Sequence, residues 1–329
     1  MKILGMISVI GGAAVATAAA PGPMQSGEAV GHNLAQVRQF SEAEGERVWP
    51  GYGTAPFGFL LIGEKTEALL CHDQVPPGFK KAGSDRATGC ERHSRPRSGL
   101  PNTLLAAMPM FGPRGVIVMG TPEATGRSEP SWVRTILHEH FHQWQYALPT
   151  YFDRTGALDL HGGDETGMWV LNYAFPYDVA AVMAAFEEAS SKLAAAVAAR
   201  GTPRFSAAFD EYLASRGALA ERAGERNWRY MEFQLWQEGV ARWTEIRLGK
   251  WYPRQDVRDS AAQLEQATLD ALRAQRLPEK KREVAYAYGA AEAMLLQACG
   301  HEWRSEYPKE LALGRLLQSA RANCGSAGA

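Results

Sequence analysis

Along the chain the spacing of apolar positions changes character once. Up to residue 120 they come in short runs: Phe57-Gly58-Phe59-Leu60-Leu61-Ile62, Glu67 to Cys71, Leu104 to Met110 and Val116 to Met119. Turn formers bound them, Trp49-Pro50-Gly51-Tyr52-Gly53 before the first and Phe111-Gly112-Pro113-Arg114-Gly115 between the last two. Compact runs of that length predict buried strands, the last two paired as a hairpin, and residues 33–47 predict a helix beside them. Residues 72–102 carry Pro, Gly, Ser and basic side chains without apolar periodicity, which predicts a long surface loop.

From Ser131 onward the apolar residues recur at helical spacing. Helices are predicted over 131–147, capped by Ser131, and over 178–199, 205–223, 228–248, 256–276 and 279–298, with an ordered loop at 150–177. The fold class expected is α+β: an N-terminal α/β region with a small sheet over residues 21–125 and a mainly helical region over 126–329.

Composition narrows the setting. Hydrophobic residues make up 46% of the 329, enough for a sizeable core, and a net charge of −1 exerts no overall pull toward nucleic acid. Residues 1–20 have the features of a secretory signal: Lys2, an apolar stretch from Ile3 to Val15, and Ala18-Ala19-Ala20 ahead of Pro21. The expectation is a periplasmic or secreted protein with no membrane insertion after signal removal. Export places the four cysteines where disulfides persist. Three pairings are open. The local one, Cys71 with Cys90 and Cys299 with Cys324, is the simplest, each closed loop being worth roughly 3 kcal/mol by chain entropy.

The chemistry concentrates in His138-Glu139-His140-Phe141-His142, a His-Glu-x-x-His pattern inside the helix predicted over 131–147. At about 100° per residue, with His138 as origin, His142 falls at about 40° and Glu139 at about 100°, on one face; His140 falls near 200°, on the other. Two imidazoles one turn apart can hold a single Zn²⁺, and Glu139 beside them can take a proton from the metal-activated water. His140 is excluded as a ligand of the same ion. Asp153, Asp159, His161, Asp164 and Glu165 form an acidic cluster that is expected to be a solvated loop.

Followed downstream by Glu238-Gly239-Val240-Ala241 and then by Tyr286-Ala287-Tyr288-Gly289, this motif resembles the gluzincin zinc metallopeptidases, in particular their aminopeptidase-like branch. The resemblance covers about residues 131–147, 233–248 and 283–297. It implies a zincin-like helical half with Glu238 as the third zinc ligand and Tyr286 donating to the oxyanion, Tyr288 being the substitute two residues on. Small residues at 239 and 241 would let the Glu238 helix approach the His138 helix closely. No Gly-x-Met-Glu-Asn segment is present, so exopeptidase specificity is not implied.

The expected function is an exported zinc-dependent hydrolase acting on a peptide or protein, with Glu139 as general base. The alternative is a catalytically silent relative that keeps the fold as a binding or envelope-scaffold protein. Nothing in the sequence bears on oligomeric state.

Overall fold

A computed structural model describes residues 8–9, 27–164, 166–274, 276–300, 302–321 and 324. The architecture is α+β, a sheet in the N-terminal half followed by a mostly helical remainder. The described residues fall into two compact units, one of residues 1–151, 164–170 and 248–261, the other of residues 152–163, 171–247 and 262–329.

In the first unit the strands are β1 (Ser8–Val9), β2 (Phe59–Ile62), β3 (Thr66–Leu70), β4 (Lys80–Ser84), β5 (Glu91–Pro96), β6 (Leu105–Met108) and β7 (Val116–Gly120), in the order β1-β6-β7-β2-β3-β5-β4. Every neighbouring pair is antiparallel except β2 with β7, which run parallel with Phe59 opposite Ile117. The predicted hairpin is β6–β7. Apart from β1, which pairs with Ala106 and Ala107, the predicted signal at residues 1–20 lies outside the described residues.

Residues 72–102 are not the loop their composition predicts, because β4 and β5 form a hairpin within them. All five residues of β4 are exposed, so no apolar alternation marks it; backbone pairing and the Cys71–Cys90 disulfide hold it instead. Both disulfides are the local ones, Cys71–Cys90 and Cys299–Cys324. They fit a chain that works outside the reducing cytoplasm. Among the described residues no helix is long and apolar enough to cross a membrane.

One face of the sheet buries Leu60, Ile62, Leu69, Ala106, Val116 and Val118 in a continuous core. On the opposite face, where Phe59 and Ile117 point, lies a helix of residues Glu129–Ala147. Counting from α1 (Gly27–Glu44) and α2 (Pro122–Thr125), it is α3. Ser128, not Ser131, occupies its N-cap, with Pro130 in the first turn, where a missing N–H costs nothing. Ser131 instead sits inside the helix, its carbonyl accepting from Thr135 Oγ1.

Side chains of α3 also satisfy backbone carbonyls of the sheet. Trp132 Nε1 donates to Gly120 O at 2.8 Å, Gln143 Nε2 to Gly58 O at 3.0 Å and Tyr146 Oη to Ala107 O at 3.1 Å. These bonds, made between buried groups, fix both the axial position and the rotation of the helix. α3 therefore groups with the sheet in the first unit.

The second unit contains α4 (Tyr151–Gly156) from Phe152 onward, α5 (Trp169–Asn172) in part, α6 (Ala180–Ala198), α7 (Phe205–Ala223) and α8 (Glu225–Gln234), followed by a π-helical turn Leu235–Gly239 that leads into α9 (Val240–Trp251), of which the residues up to Arg247 belong to this unit. Beyond α10 (Gln255–Ala274) come α11 (Leu277–Lys280), α12 (Val284–Ala298), α13 (Trp303–Glu306) and α14 (Gly314–Arg321), the last two beyond the final predicted helix. The single helix predicted over 228–248 is thus broken by a π turn.

The widened turn is tied to the C-terminal segment: Trp236 Nε1 donates to Tyr307 O, and Tyr307 Oη donates back to Trp236 O at 2.7 Å, the two rings stacked 4.6 Å apart. Deeper in this unit, Arg216 forms a two-pronged pair with Glu232 at 2.8 and 2.9 Å and reaches Glu292 at 2.6 Å. Arg216 and both carboxylates are buried, so removing one partner would leave an uncompensated charge.

Candidate metal centre

His138, Glu139 and His142 are all completely buried on α3. The Nε2 atoms of His138 and His142 lie 3.1 Å apart. Two nitrogens each about 2.0–2.1 Å from one tetrahedral ion would be separated by about 3.3 Å, so this spacing suits joint ligation.

The tautomer is set from behind, because His142 Nδ1 lies 2.6 Å from Gln145 Oε1. An amide oxygen only accepts, so Nδ1 carries the proton and the Nε2 lone pair is directed at the metal position. Gln145 was not singled out by sequence, although its place three residues after His142, on the same helical face, is the signal that could have found it.

His140 occupies the other side of α3, as the helical angles predict. Its ring packs edge-on against Tyr52 and Phe57, with centroids at 4.7 and 5.0 Å, and burial pushes its pKa down to about 4. It is a core histidine, neutral at ordinary pH.

Glu238 stands in the π turn and is completely buried. A π turn inserts one extra residue into the helix and re-aims the side chains on it, and such turns concentrate at functional sites. Gly239 meets α12. A Cβ there would lie 2.3 Å from Gly289 Cα, and one at Gly289 would lie 2.5 Å from the Leu235 carbonyl oxygen. The small residue therefore admits α12. This backbone-to-backbone crossing joins the Glu-Gly and Tyr-x-x-Gly segments, bringing Tyr286 and Glu238 around one side chain, Arg282.

Arg282 Nη1 donates to Glu238 Oε1 at 3.2 Å and to Gln234 Oε1 at 3.4 Å, and its guanidinium also bonds the Tyr286 hydroxyl, with its carbon 5.8 Å from that ring's centroid. Burial disfavours the Arg282 charge, but Tyr286, Glu238 and Tyr230 around it hold its pKa above the usual value. Tyr288, the alternative to Tyr286, packs instead against Phe186 and Tyr212 at 5.7 and 6.2 Å, and burial pushes its phenol well up. Arg282 and Gln234 were not singled out by sequence, since only the helix crossing shows what they face.

The potential ligand atoms of His138, His142 and Glu238 all lie within 4.8 Å of one another, a buried group that could hold a metal ion. Among the described residues no other set of His, Cys, Asp and Glu does so; the acidic cluster at 153–164 does not, and Glu165 lies outside the described residues. No family model matches the chain, and no curated protein or solved structure matches it either.

Proposed function

We propose that this chain is an exported zinc-dependent hydrolase of gluzincin type, acting on peptide bonds, with His138, His142 and Glu238 as the metal ligands. The observation that carries the reading is the buried His-His-Glu group with a carboxylate, Glu139, adjacent in sequence to one ligand. Two imidazoles and one carboxylate are a donor set suited to catalytic zinc, which keeps a fourth position open. A zinc ion there supplies a Lewis acid that brings the pKa of a water close to neutral.

Glu139 is the base that removes a proton from the attacking water and passes it to the leaving amine. A purely structural site has no use for a base beside its ligand. Tyr286 is a neutral donor at pH 7, so its hydrogen bond strengthens as negative charge grows on the carbonyl oxygen. Arg282, bonded to the same hydroxyl, leaves the phenol proton available for that oxygen. The substrate class is a peptide or protein, and the compartment is the periplasm or the extracellular space.

The complete burial of His138, Glu139, His142 and Glu238 favours one second reading, a metal-holding binding or scaffold protein without turnover. Metal analysis together with peptide-library cleavage by wild type and Glu139→Gln separates the two. Zinc in both proteins with cleavage only by wild type supports the hydrolase, and zinc without cleavage supports the scaffold. Absence of metal from the wild-type protein ends both.

A further inference from the structure

Arg282 reaches past the Tyr286 hydroxyl to the Glu238 carboxylate. We infer that Arg282 is a positioning residue that fixes the Glu238 carboxylate and the Tyr286 hydroxyl in one arrangement, engaging one carboxylate oxygen so that ligation falls to the other. This rests on the proposed metal centre and adds to it what decides how the third ligand binds.

Three independent features converge on Arg282. The first is its bonding: it reaches Glu238 Oε1 at 3.2 Å and Gln234 Oε1 at 3.4 Å, and it also bonds Tyr286. Gln234 and Glu238 belong to successive turns of one helix, and Tyr286 lies one turn beyond Arg282 on another, so a single planar guanidinium spans both. Its donors diverge in a fixed fork, which lets it hold several acceptors at set angles in a way a lysine ammonium does not.

The second is backbone strain immediately before it. Lys281 has φ +48° and ψ −126°, a conformation that costs a non-glycine residue free energy and persists only where the surroundings impose it. That residue joins α11 to the 3₁₀ turn Lys281–Glu283, which presents Arg282 at the start of α12. The third is the π turn beneath Glu238, which departs from regular helix at the residue Arg282 grips.

A carboxylate bonded through one oxygen keeps its rotamer and offers the other oxygen to a metal. Residues that orient ligands in this way typically change metal affinity by about 10–100-fold when removed. Their loss also alters the coordination geometry, which a residue supporting only the fold would not do.

The test uses Co²⁺ as the probe on the full chain, comparing wild type, Arg282→Met, Arg282→Lys and His142→Ala. Thermal unfolding of each identifies any variant that fails to fold. The expected results are affinity about 10–100-fold weaker in Arg282→Met, a changed visible absorption spectrum of its Co²⁺ complex, and partial recovery of both in Arg282→Lys, which keeps the charge without the fork. An Arg282→Met protein with wild-type affinity and an unchanged spectrum overturns the role of Arg282 while leaving the metal centre intact. If Arg282→Met does not fold, Arg282→Lys decides alone: a wild-type spectrum overturns the inference and a shifted one sustains it. Wild-type protein whose Co²⁺ binding is indifferent to His142→Ala overturns the metal centre and the inference with it.

Discussion

The two segments that bear the candidate ligands are built in opposite ways. α3 is a regular helix: His138 and His142 face one way because they are four residues apart, and hydrogen bonds from Trp132, Gln143 and Tyr146 to strand carbonyls hold that face in register. Glu238 stands on a helix that is locally not α at all, and its direction depends on a π turn, on Gly239 meeting Gly289, and on Arg282. Where geometry follows from the chain's own repeat, substitutions next to the ligands should be tolerated. Where it follows from packing, residues that never touch a metal should matter.

The largest effect is expected at the ligands themselves. His138→Ala or His142→Ala removes one of three protein ligands and should weaken zinc binding by well over the roughly 10–100-fold typical of a supporting residue. His140→Ala, between them, should keep the metal, because its ring lies among Tyr52 and Phe57. Equilibrium dialysis against zinc decides this, and metal loss in His140→Ala with retention in His142→Ala would invert the helical-face assignment. Next in size is Glu139→Gln: zinc content unchanged, hydrolysis down by roughly 10²–10⁴-fold. A comparable loss of zinc would make Glu139 a ligand and not a base.

Gly239→Ala tests the packed half. The added Cβ would meet Gly289 Cα at 2.3 Å, and a backbone neighbour cannot rotate away, so a loss of about 3 kcal/mol, the upper part of the range for overpacking, is expected. Urea unfolding measures it, and Gly289→Ala should behave alike. Wild-type stability in both would show that the helix crossing is looser than described.

Gln145→Ala sharpens the regular half. Without an acceptor at 2.6 Å, His142 loses its fixed tautomer, and zinc affinity should fall by about 10–100-fold while the fold stays intact. Gln145→Glu, which keeps an acceptor, should retain most of it.

The smallest expected effect is a pH dependence in the sheet. Burial raises the Glu67 pKa, but bonds from the Ser98 amide and hydroxyl and from Arg95 outweigh that and hold it below the usual carboxylate value. A lowered folded-state pKa gives stability that is fully present above the unfolded pKa of about 4.3 and lost as the pH falls through the folded value. Glu67→Gln should therefore show a shallower acid limb in stability against pH than wild type, and superimposable limbs would remove Glu67 from the account.

The chain was legible wherever its signals are periodic or local. The strands Phe59–Ile62 and Val116–Gly120 were visible as apolar runs, the α7 helix Phe205–Ala223 was predicted to the residue, and local cysteine pairing was the simplest choice. The β4–β5 hairpin was missed because exposed edge strands are held by backbone bonds, which leave no mark on side-chain pattern. The cap at Ser128 was displaced to Ser131 because both residues suit a helix start and Pro130 between them is tolerated in the first turn.

By itself, the sequence determined the α+β character and the separation of His138 and His142 from His140 by face, while Glu238 and Tyr286 became candidates through the resemblance to gluzincins. The first two follow from spacing along one chain, and spacing converts to direction wherever the backbone is regular. Only tertiary structure decided that Gly239 faces Gly289, that Gln145 orients His142, and that Arg282 joins Glu238 to Tyr286. An inserted π residue turns every later side chain away from its α-helical direction, and a guanidinium that bridges two helices has no periodicity of its own. What a side chain faces across a gap is set by the packing of elements remote in sequence, and a one-dimensional pattern does not contain that distance.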